Sequence, residues 1–177
     1  MGIPTKHKPV KLIIGLIAPE DLFDKVEKIL CQKFGPADFK SEILDFNFTD
    51  YYEREMGTGL KRRFLSFKRN IVPRDLSHIK LYTNRIEKKF SKSNGSRKVN
   101  IDPGYLTLSK LVLATTKDYQ HRLYLDNGIY AEVTLRFKGK SFTIWEWTYP
   151  DYRSPAYISI FNHIRNNLLS KDKGKDV

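Results

Sequence analysis

Apolar residues form one unbroken run near the start of the chain and recur at regular spacing after it. Residues 10–18 are apolar except for Lys11, which is the pattern of a central strand buried on both faces. Beyond Pro19, apolar residues recur at helical spacing over 22–34, and Gly35-Pro36 ends the run. The chain is therefore predicted to open with a strand followed by a helix.

Two further strands and a second long helix are predicted over residues 39–90. Apolar and polar residues alternate over 39–48, and another strand is predicted over 60–72. Pro73 opens a helix whose buried stripe comprises Leu76, Ile79, Thr83, Ile86 and Phe90. With a strand at 98–101, the order becomes that of a split β-α-β sandwich, the ferredoxin-like layout.

The last third of the chain is predicted to form a meander and a terminal helix. Residues 106–116 fit both a helix and a strand, and we favour a helix that begins after Asp102-Pro103-Gly104. Strands are predicted over 121–125, 129–137 and 141–147, and Ser154 caps a final helix. The predicted fold is α+β: a ferredoxin-like core, a C-terminal antiparallel meander and a terminal helix. One domain spans 1–177, with flexible ends at 1–10 and 171–177.

Turn chemistry predicts which meander residues face each other. A three-residue loop at 126–128 places Arg122 opposite Glu132 and Leu123 opposite Ala131, whereas a two-residue Asn-Gly loop mixes apolar and charged residues on each face. We therefore favour the three-residue loop. A turn at Lys138-Gly139 then pairs Leu135 with Phe142, and Val133 and Leu135 lie on the face opposite Glu132.

The formal net charge of +12 is concentrated in one stretch of the chain. Residues 61–98 carry 13 basic and 2 acidic groups, and residues 60–69 interleave basic side chains with Phe64 and Phe67. A localised positive field favours anionic partners such as nucleic acid or nucleotides, although a solvated lysine-rich face fits the same composition. Phe64 and Phe67 differ by three positions, so a regular strand points them to opposite faces.

The sequence predicts neither a targeting signal nor a redox-active cysteine. Its apolar N-terminal run is short, is interrupted by Lys11 and is followed by acidic residues, so neither a membrane span nor a signal peptide is predicted. The one cysteine, Cys31, lies in an amphipathic run, where a thiol packs as a small hydrophobe. We expect a cytoplasmic protein without a membrane partner; its oligomeric state is not indicated.

The sequence contains no complete nucleotide-binding or metal-binding motif. Gly139-Lys140-Ser141 ends like a phosphate-binding loop, but Thr134 occupies the position of the first glycine and strands flank the segment. Gly57-Thr58-Gly59 lacks the third glycine of a dinucleotide loop. The four histidines are isolated in sequence, so no metal site is predicted, and the cofactor stays unknown.

Two groups of polar residues are candidates for a site. Tyrosines, carboxylates and cations surround the turn at 57–59, an arrangement that suits a phosphate attached to a ring and equally an intrachain salt-bridge cluster. On the meander, Glu132 is the candidate for acid–base chemistry with His121, although an Arg122–Glu132 pair is also an ordinary sheet contact. The candidate ligand-binding residues are Tyr51, Arg62, Asp102, Gly104, Lys110, Lys117, Arg122 and Tyr130.

A helix starting near Thr107 would add backbone donors to this site. Its free N–H groups would point towards an anion, with Lys110 within one turn and Lys117 and His121 at the other end. A capped helix behind an ordinary turn fits the same residues.

Several strings of the chain resemble a family of uncharacterised prokaryotic proteins, the DUF4416-type proteins. They are TDYY at 49–52, EMG at 55–57, LKR at 60–62, NIDPGYLT at 100–107, KLVLATTKD at 110–118, HR at 121–122, GIYAEVT at 128–134 and WTYPDY at 147–152. The resemblance covers essentially the whole chain and implies no activity. Members are sometimes labelled GTP-binding, but the phosphate loop fails and no Asn-Lys-x-Asp guanine motif is present.

Two functions fit these observations. The first is binding of, or action on, a small anionic ligand that bears a phosphate or resembles a nucleotide. The second is a nucleic-acid (RNA) binding module that uses the basic block at 61–98. The arrangement of the cations separates them, because a ligand site needs a concave pocket that includes Glu132.

Overall fold

A single antiparallel sheet runs through the molecule, and helices cover both of its faces. The computed structural model describes residues 2–173, and for Asp50 and residues 171–173 only the backbone is described. The strands are β1 (Lys11–Ala18), β2 (Ala37–Lys40), β3 (Leu44–Asp45), β4 (Lys61–Phe67), β5 (Asn100–Leu106), β6 (Lys110–Thr115), β7 (Leu123–Asp126), β8 (Ile129–Lys138) and β9 (Ser141–Ile144). The helices are α1 (Phe23–Phe34), α2 (Glu53–Met56), α3 (Leu76–Lys89) and α4 (Pro155–Lys173).

The strand order is β2-β4-β1-β5-β6-β8-β7, with β3 beside β4 and β9 beside β8. The α+β class and the C-terminal helix are therefore confirmed. The predicted flexible tail lies partly outside the described residues, since 171–173 are helical and 174–177 are not described. No helix within residues 2–173 has the length and apolarity needed to cross a membrane.

β1 is the centre of the sheet, as its apolar run predicts. All eight of its residues are buried. Leu12, Ile14 and Leu16 pack with α1 and α3 on one face, whereas Ile13 packs with Phe161 of α4 on the other. This alternation divides the core into two layers on opposite faces of the sheet.

The α4 face has a second cover besides the helix. The segment between β3 and β4 contributes Phe46, Met56 and Leu60, which pack on Ile17 of β1. At the start of α4, the Tyr157 amide donates to Ser154 Oγ at 3.3 Å, which confirms the predicted cap. Where these two covers meet, they leave a cavity.

Residues 106–116 form the end of β5, a tight turn and β6, so the favoured helix is wrong. Leu111, Val112, Leu113 and Ala114 are all buried, because β6 lies inside the sheet between β5 and β8. A strand covered on both faces shows no period of two, and its apolar run resembles a buried helix. No helix N-terminus therefore lies near Thr107.

The strand predicted over 39–48 is interrupted in the structure. The Phe64 amide of β4 donates to Ser41 Oγ at 3.0 Å, and the Ser41 amide donates to the Phe64 carbonyl at 2.9 Å. A side chain thus replaces one backbone partner and separates β2 from β3. The strand predicted over 60–72 ends at Phe67, and Ile71 forms only an isolated bridge with Val10.

The β7–β8 hairpin combines a two-residue turn with a bulge. Asn127 and Gly128 both have positive φ, 53° and 74°, so the predicted three-residue loop is wrong. A register shift between Tyr124 and Asp126 restores the predicted pairing of Leu123 with Ala131. The bulge thereby keeps apolar residues together on one face despite the short turn.

The β8–β9 pairing is displaced by two residues from the prediction. Leu135 faces Ile144 rather than Phe142, because the turn is at Gly139-Lys140. A second bulge, at Thr134 opposite β6, turns Leu135 towards α4 while Val133 stays on the α3 side. The prediction that Val133 and Leu135 share a face is therefore wrong.

β7 and β9 lie on the same edge of β8, because β6 occupies the other edge. The predicted meander is therefore wrong in its connectivity. Between β7 and β9, side chains complete the edge: Trp147 Nε1 donates to the Val133 carbonyl at 3.1 Å, and Thr148 Oγ1 to the Thr134 carbonyl at 2.7 Å. The segment that leads into α4 is fixed to the sheet by these bonds.

Candidate functional site

A cavity of about 540 Å³ lies on the α4 face of the sheet. Strands β4, β5, β6 and β8 form its floor, the segment between β3 and α2 forms one wall, and residues 149–152 form another. Five of the ten candidate residues line it: Tyr51, Arg62, Asp102, Lys117 and Glu132. The volume falls in the range of small-molecule sites, roughly 300–1,000 Å³.

Arg62 is the buried cation of the cavity floor. Its side chain is 2 % exposed, and its guanidinium lies 2.6 Å from Asp151 and 3.3 Å from Asp102. Aromatic rings surround the guanidinium, with Phe64 and Tyr152 at 5.1 and 5.4 Å. Lys61 and Arg63 form separate ion pairs with Asp45 and Glu27. Part of the constellation around the 57–59 turn is thus an intrachain ion-pair network.

Asp102 is the most accessible of the three carboxylates that line the cavity. Its side chain is 23 % exposed, compared with 10 % for Asp151 and 1 % for Glu132. Asn100 Nδ2 donates to it at 2.7 Å, and Lys80 Nζ lies 3.8 Å away. β5 therefore offers a partly solvated acceptor held between an amide and two cations.

Arg97 closes the cavity beside β5. Its guanidinium is 2.7 Å from Glu55, 3.3 Å from Glu87 and 3.0 Å from the Asn100 side-chain oxygen. The hydrogen bond from Arg97 lowers the pKa of Glu55, whereas burial raises the pKa of Glu87. These contacts fix Arg97 within the protein and neutralise its charge.

Glu132 is held by side chains from the segment before β7 and from the segment after β9. Arg122 Nε donates to it at 2.8 Å, and His121 Nε2 and the Tyr149 hydroxyl each lie 3.3 Å away. Arg122 also donates to the Tyr149 hydroxyl at 2.6 Å. Burial, with Glu132 alongside, raises the pKa of Tyr149, so the phenol keeps its proton. Arg122 and His121 lie behind Glu132 and do not line the cavity.

An aromatic stack supports this group from outside the cavity. His121 stacks on Trp147 at 5.1 Å and 12°, and Trp147 stacks on Trp145 at 5.0 Å and 8°. Arg136 covers the outer face of Trp145 at 4.0 Å. The stack orients the imidazole towards Glu132.

Lys117 and Tyr51 meet at the mouth of the cavity. Lys117 Nζ donates to the Tyr51 hydroxyl at 2.9 Å and lies 4.8 Å from the centre of its ring. Arg62, Lys80 and Arg97 are all paired with carboxylates, but Lys117 forms no ion pair among the side chains described. In the described range no group of three or more His, Cys, Asp or Glu side chains is placed to hold a metal ion.

Gly104, Lys110 and Tyr130 do not line the cavity. A Cβ at Gly104 would overlap the Val112 carbonyl oxygen, so this glycine permits the close pairing of β5 and β6. Lys110 lies at the opposite end of β6 from Thr115, and Tyr130 packs against Tyr124 at 5.4 Å. With no helix at 106–116, the backbone donors expected there are absent.

Several cavity residues were missed in the sequence. Tyr149 and Asp151 lie in one of the family-like strings, WTYPDY, which was the available signal. Lys80 and Arg97 belong to the basic block at 61–98, where nothing in the sequence distinguishes them from its other cations. Phe64 and Phe67 of that block are both fully buried, on opposite faces of the sheet, so they offer no stacking surface for bases.

Comparisons with known proteins identify a family without an activity. The family described as "Domain of unknown function (DUF4416)" matches residues 8–168. No curated protein and no solved structure matches the chain. The function must therefore be argued from the site itself.

Proposed function

The chain belongs to the DUF4416 family, and from the site we propose that it binds a small phosphate-bearing or nucleotide-like ligand in the cavity. The observation that carries the proposal is Lys117, a cation at the cavity mouth that forms no ion pair among the described side chains. An anionic group of a ligand would take the place of the Tyr51 hydroxyl as its partner.

Aromatic side chains in the cavity wall between β3 and α2 support a ligand that carries a ring. Tyr51 is 61 % exposed and meets Tyr52 edge-on at 5.0 Å, and Phe48 is also exposed beside them. A planar ring packs on such side chains by offset or edge contacts, each worth roughly 0.5–1.5 kcal/mol beyond area burial. Lys117 lies next to this wall, so one ligand could contact both.

The polar groups of the floor support recognition of hydroxyl or amine groups. Asp102 is partly exposed and can accept a hydrogen bond from a ligand. The Tyr152 hydroxyl is buried and has no hydrogen-bond partner among the described residues, and burial raises its pKa. Asp102 is therefore the acceptor of the floor that a ligand hydroxyl or amine can reach.

We assign acid–base chemistry in this cavity to Glu132, with His121 as its partner. Glu132 lines the cavity, and Arg122 fixes its orientation at 2.8 Å. His121 contacts the same carboxylate at 3.3 Å from behind, so a proton could pass between imidazole and carboxylate. Whether a reaction follows binding is tested by turnover of the ligand that binds.

We also infer that β1, α1, β2, β4, α3 and β5 form a ferredoxin-like core. Their spatial order, β2-β4-β1-β5 with both helices on one face, supports this assignment. The cavity would then lie on the face of that core opposite α1 and α3.

Thermal unfolding with a panel of GTP, GMP, AMP, ribose 5-phosphate and inorganic phosphate tests the proposal. A ligand at about 100 times its Kd adds about 2.7 kcal/mol of stability, so at least one nucleotide is expected to raise the Tm. Lys117→Gln should weaken binding about tenfold, consistent with a charged hydrogen bond of about 1.5 kcal/mol.

Lys110→Gln is the matched control, because Lys110 lies at the start of β6, outside the cavity, whereas Lys117 follows the end of that strand. It should keep the full thermal shift. The proposal is wrong if no probe changes the Tm, or if the Lys117 and Lys110 variants respond alike.

A further inference from the structure

The fold gives the cations of the basic block different surroundings. Arg62, Lys80 and Arg97 point into the cavity or its edge and are paired with carboxylates. Others lie on the opposite side of the sheet, exposed on the outer surface of α1 and α3. We define this surface as the basic helical face, formed by Lys25, Lys28, Lys33, Arg85, Lys88, Lys89 and Lys92.

The cations of the basic helical face are not neutralised by the protein. All seven are exposed, and none forms an ion pair among the described residues. Asp24 is the one exposed carboxylate on α1 and α3, since Glu27 and Glu87 are buried. The surface therefore carries a large positive excess that attracts a polyanion.

The two helices form one continuous surface. Lys33 of α1 lies 5.0 Å above the Tyr82 ring of α3, and Phe34 meets the same ring at 5.7 Å. Arg85, Lys88, Lys89 and Lys92 follow Tyr82 at spacings of three and four, so they form a stripe along α3 and its end. The cations of both helices can thus contact one extended partner.

We propose that the basic helical face binds the backbone of double-stranded RNA. None of the exposed large apolar side chains lies on α1 or α3, and the half-buried Tyr82 ring lies beneath Lys33, so the face has no exposed ring to stack on unpaired bases or to insert into a lipid bilayer. Phosphates of a duplex match a rigid stripe of cations. Exposed Gln32 and Ser93 lie among the lysines and suit the ribose 2′-hydroxyls of a shallow minor groove.

The test is binding of the full chain to a labelled RNA duplex of about 20 base pairs, longer than the roughly 16 that a shape-reading domain spans. Anisotropy is measured from low to physiological salt. The variant R85Q/K88Q/K89Q/K92Q should bind at least about tenfold more weakly, with a shallower salt dependence, since each lost phosphate contact removes about 0.9 from the log–log slope.

The control variant K6Q/K8Q/K138Q/K140Q removes the same charge from exposed positions elsewhere. It should bind like the native chain, and the Tm of both variants should be unchanged. Equal weakening in both variants would show that net charge alone drives binding and would overturn the proposal. So would the absence of binding at low salt, or tighter binding to single-stranded RNA, to a DNA duplex or to anionic phospholipid vesicles.

Discussion

Arg62 joins three segments of the chain at the floor of the cavity. It lies on β4 and bonds Asp102 of β5 and Asp151 ahead of α4. Removing one partner of a buried ion pair leaves the other charge unpaired, which costs more than the pair itself contributes. Asp151 therefore depends on this guanidinium for charge compensation, whereas Asp102 is also held by Asn100 and Lys80.

Arg62→Met should lower the free energy of unfolding by about 3 kcal/mol in urea titrations. The substitution keeps an apolar stem among the rings but removes the ion-pair partner of Asp151 and leaves Asp102 with Lys80 as its neighbouring cation. Lys61→Met on the same strand should change stability little, because Lys61 pairs with Asp45 in solvent. A similar loss in both variants would contradict this account.

Glu55 gives the protein a specific response to acid. Because Arg97 lowers the pKa of Glu55 below its ordinary value of 4.5, the carboxylate stabilises the fold above that pH. This stability is lost as the pH falls through the lowered pKa. Glu55→Gln should therefore be less stable than the native chain at pH 6, and the difference should shrink below pH 4.5.

Chemical denaturation at a series of pH values measures this difference directly. Glu53→Gln is the control, since Glu53 is exposed on the same short helix. A difference between native and E55Q proteins that stays constant with pH would contradict the role of the Arg97 contact.

At the scale of elements, the β7–β8 turn sets the register on which Glu132 depends. Gly128 adopts a φ of 74°, a left-handed conformation that costs other residues about 1 kcal/mol or more. Gly128→Ala should destabilise the protein by roughly that amount in thermal unfolding. Asn127→Gly should be tolerated, because glycine also adopts the positive φ found there. Equal effects of the two substitutions would argue against this turn geometry.

Periodicity predicted the long helices, and a long apolar run predicted β1, but the pattern failed for the short buried strand β6. α1, α3 and α4 show one apolar stripe each, and β1 is a long apolar run. β6 is equally buried but short, so its pattern could not be distinguished from a helix. The β8–β9 turn could begin at Lys138 or Gly139, and only the bonds of the folded sheet decide between them.

The candidate site could be predicted only where polar residues cluster in the sequence or pair across a predicted hairpin. Tyr51 belongs to such a cluster and Glu132 to such a pair, and the fold gathers both around one cavity with Asp102 and Lys117. Lys80 and Arg97 could not be assigned in this way. Their inward direction depends on the packing of α3 against β5, which joins residues distant in sequence.

For the whole molecule, the cavity and the basic helical face lie on opposite sides of the sheet, and Lys80 reaches the cavity from the buried side of α3. Lys117 lies at the mouth of the cavity on the α4 side, while Arg85 and Lys88 lie on α3 across the sheet. Lys117→Gln should therefore leave the affinity for duplex RNA unchanged. The R85Q/K88Q/K89Q/K92Q variant should keep the full thermal shift with the ligand. Loss of both activities in either variant would show that the two faces form one site.

Both tryptophans of the chain lie in the stack behind Glu132. Trp147 covers His121, which contacts a carboxylate of the cavity wall. Tryptophan emission depends on the polarity and charge around the indole, so the fluorescence of the two tryptophans is sensitive to changes at His121 and Glu132. We therefore expect a ligand that contacts Glu132 to change the intrinsic fluorescence, which a titration without a label measures.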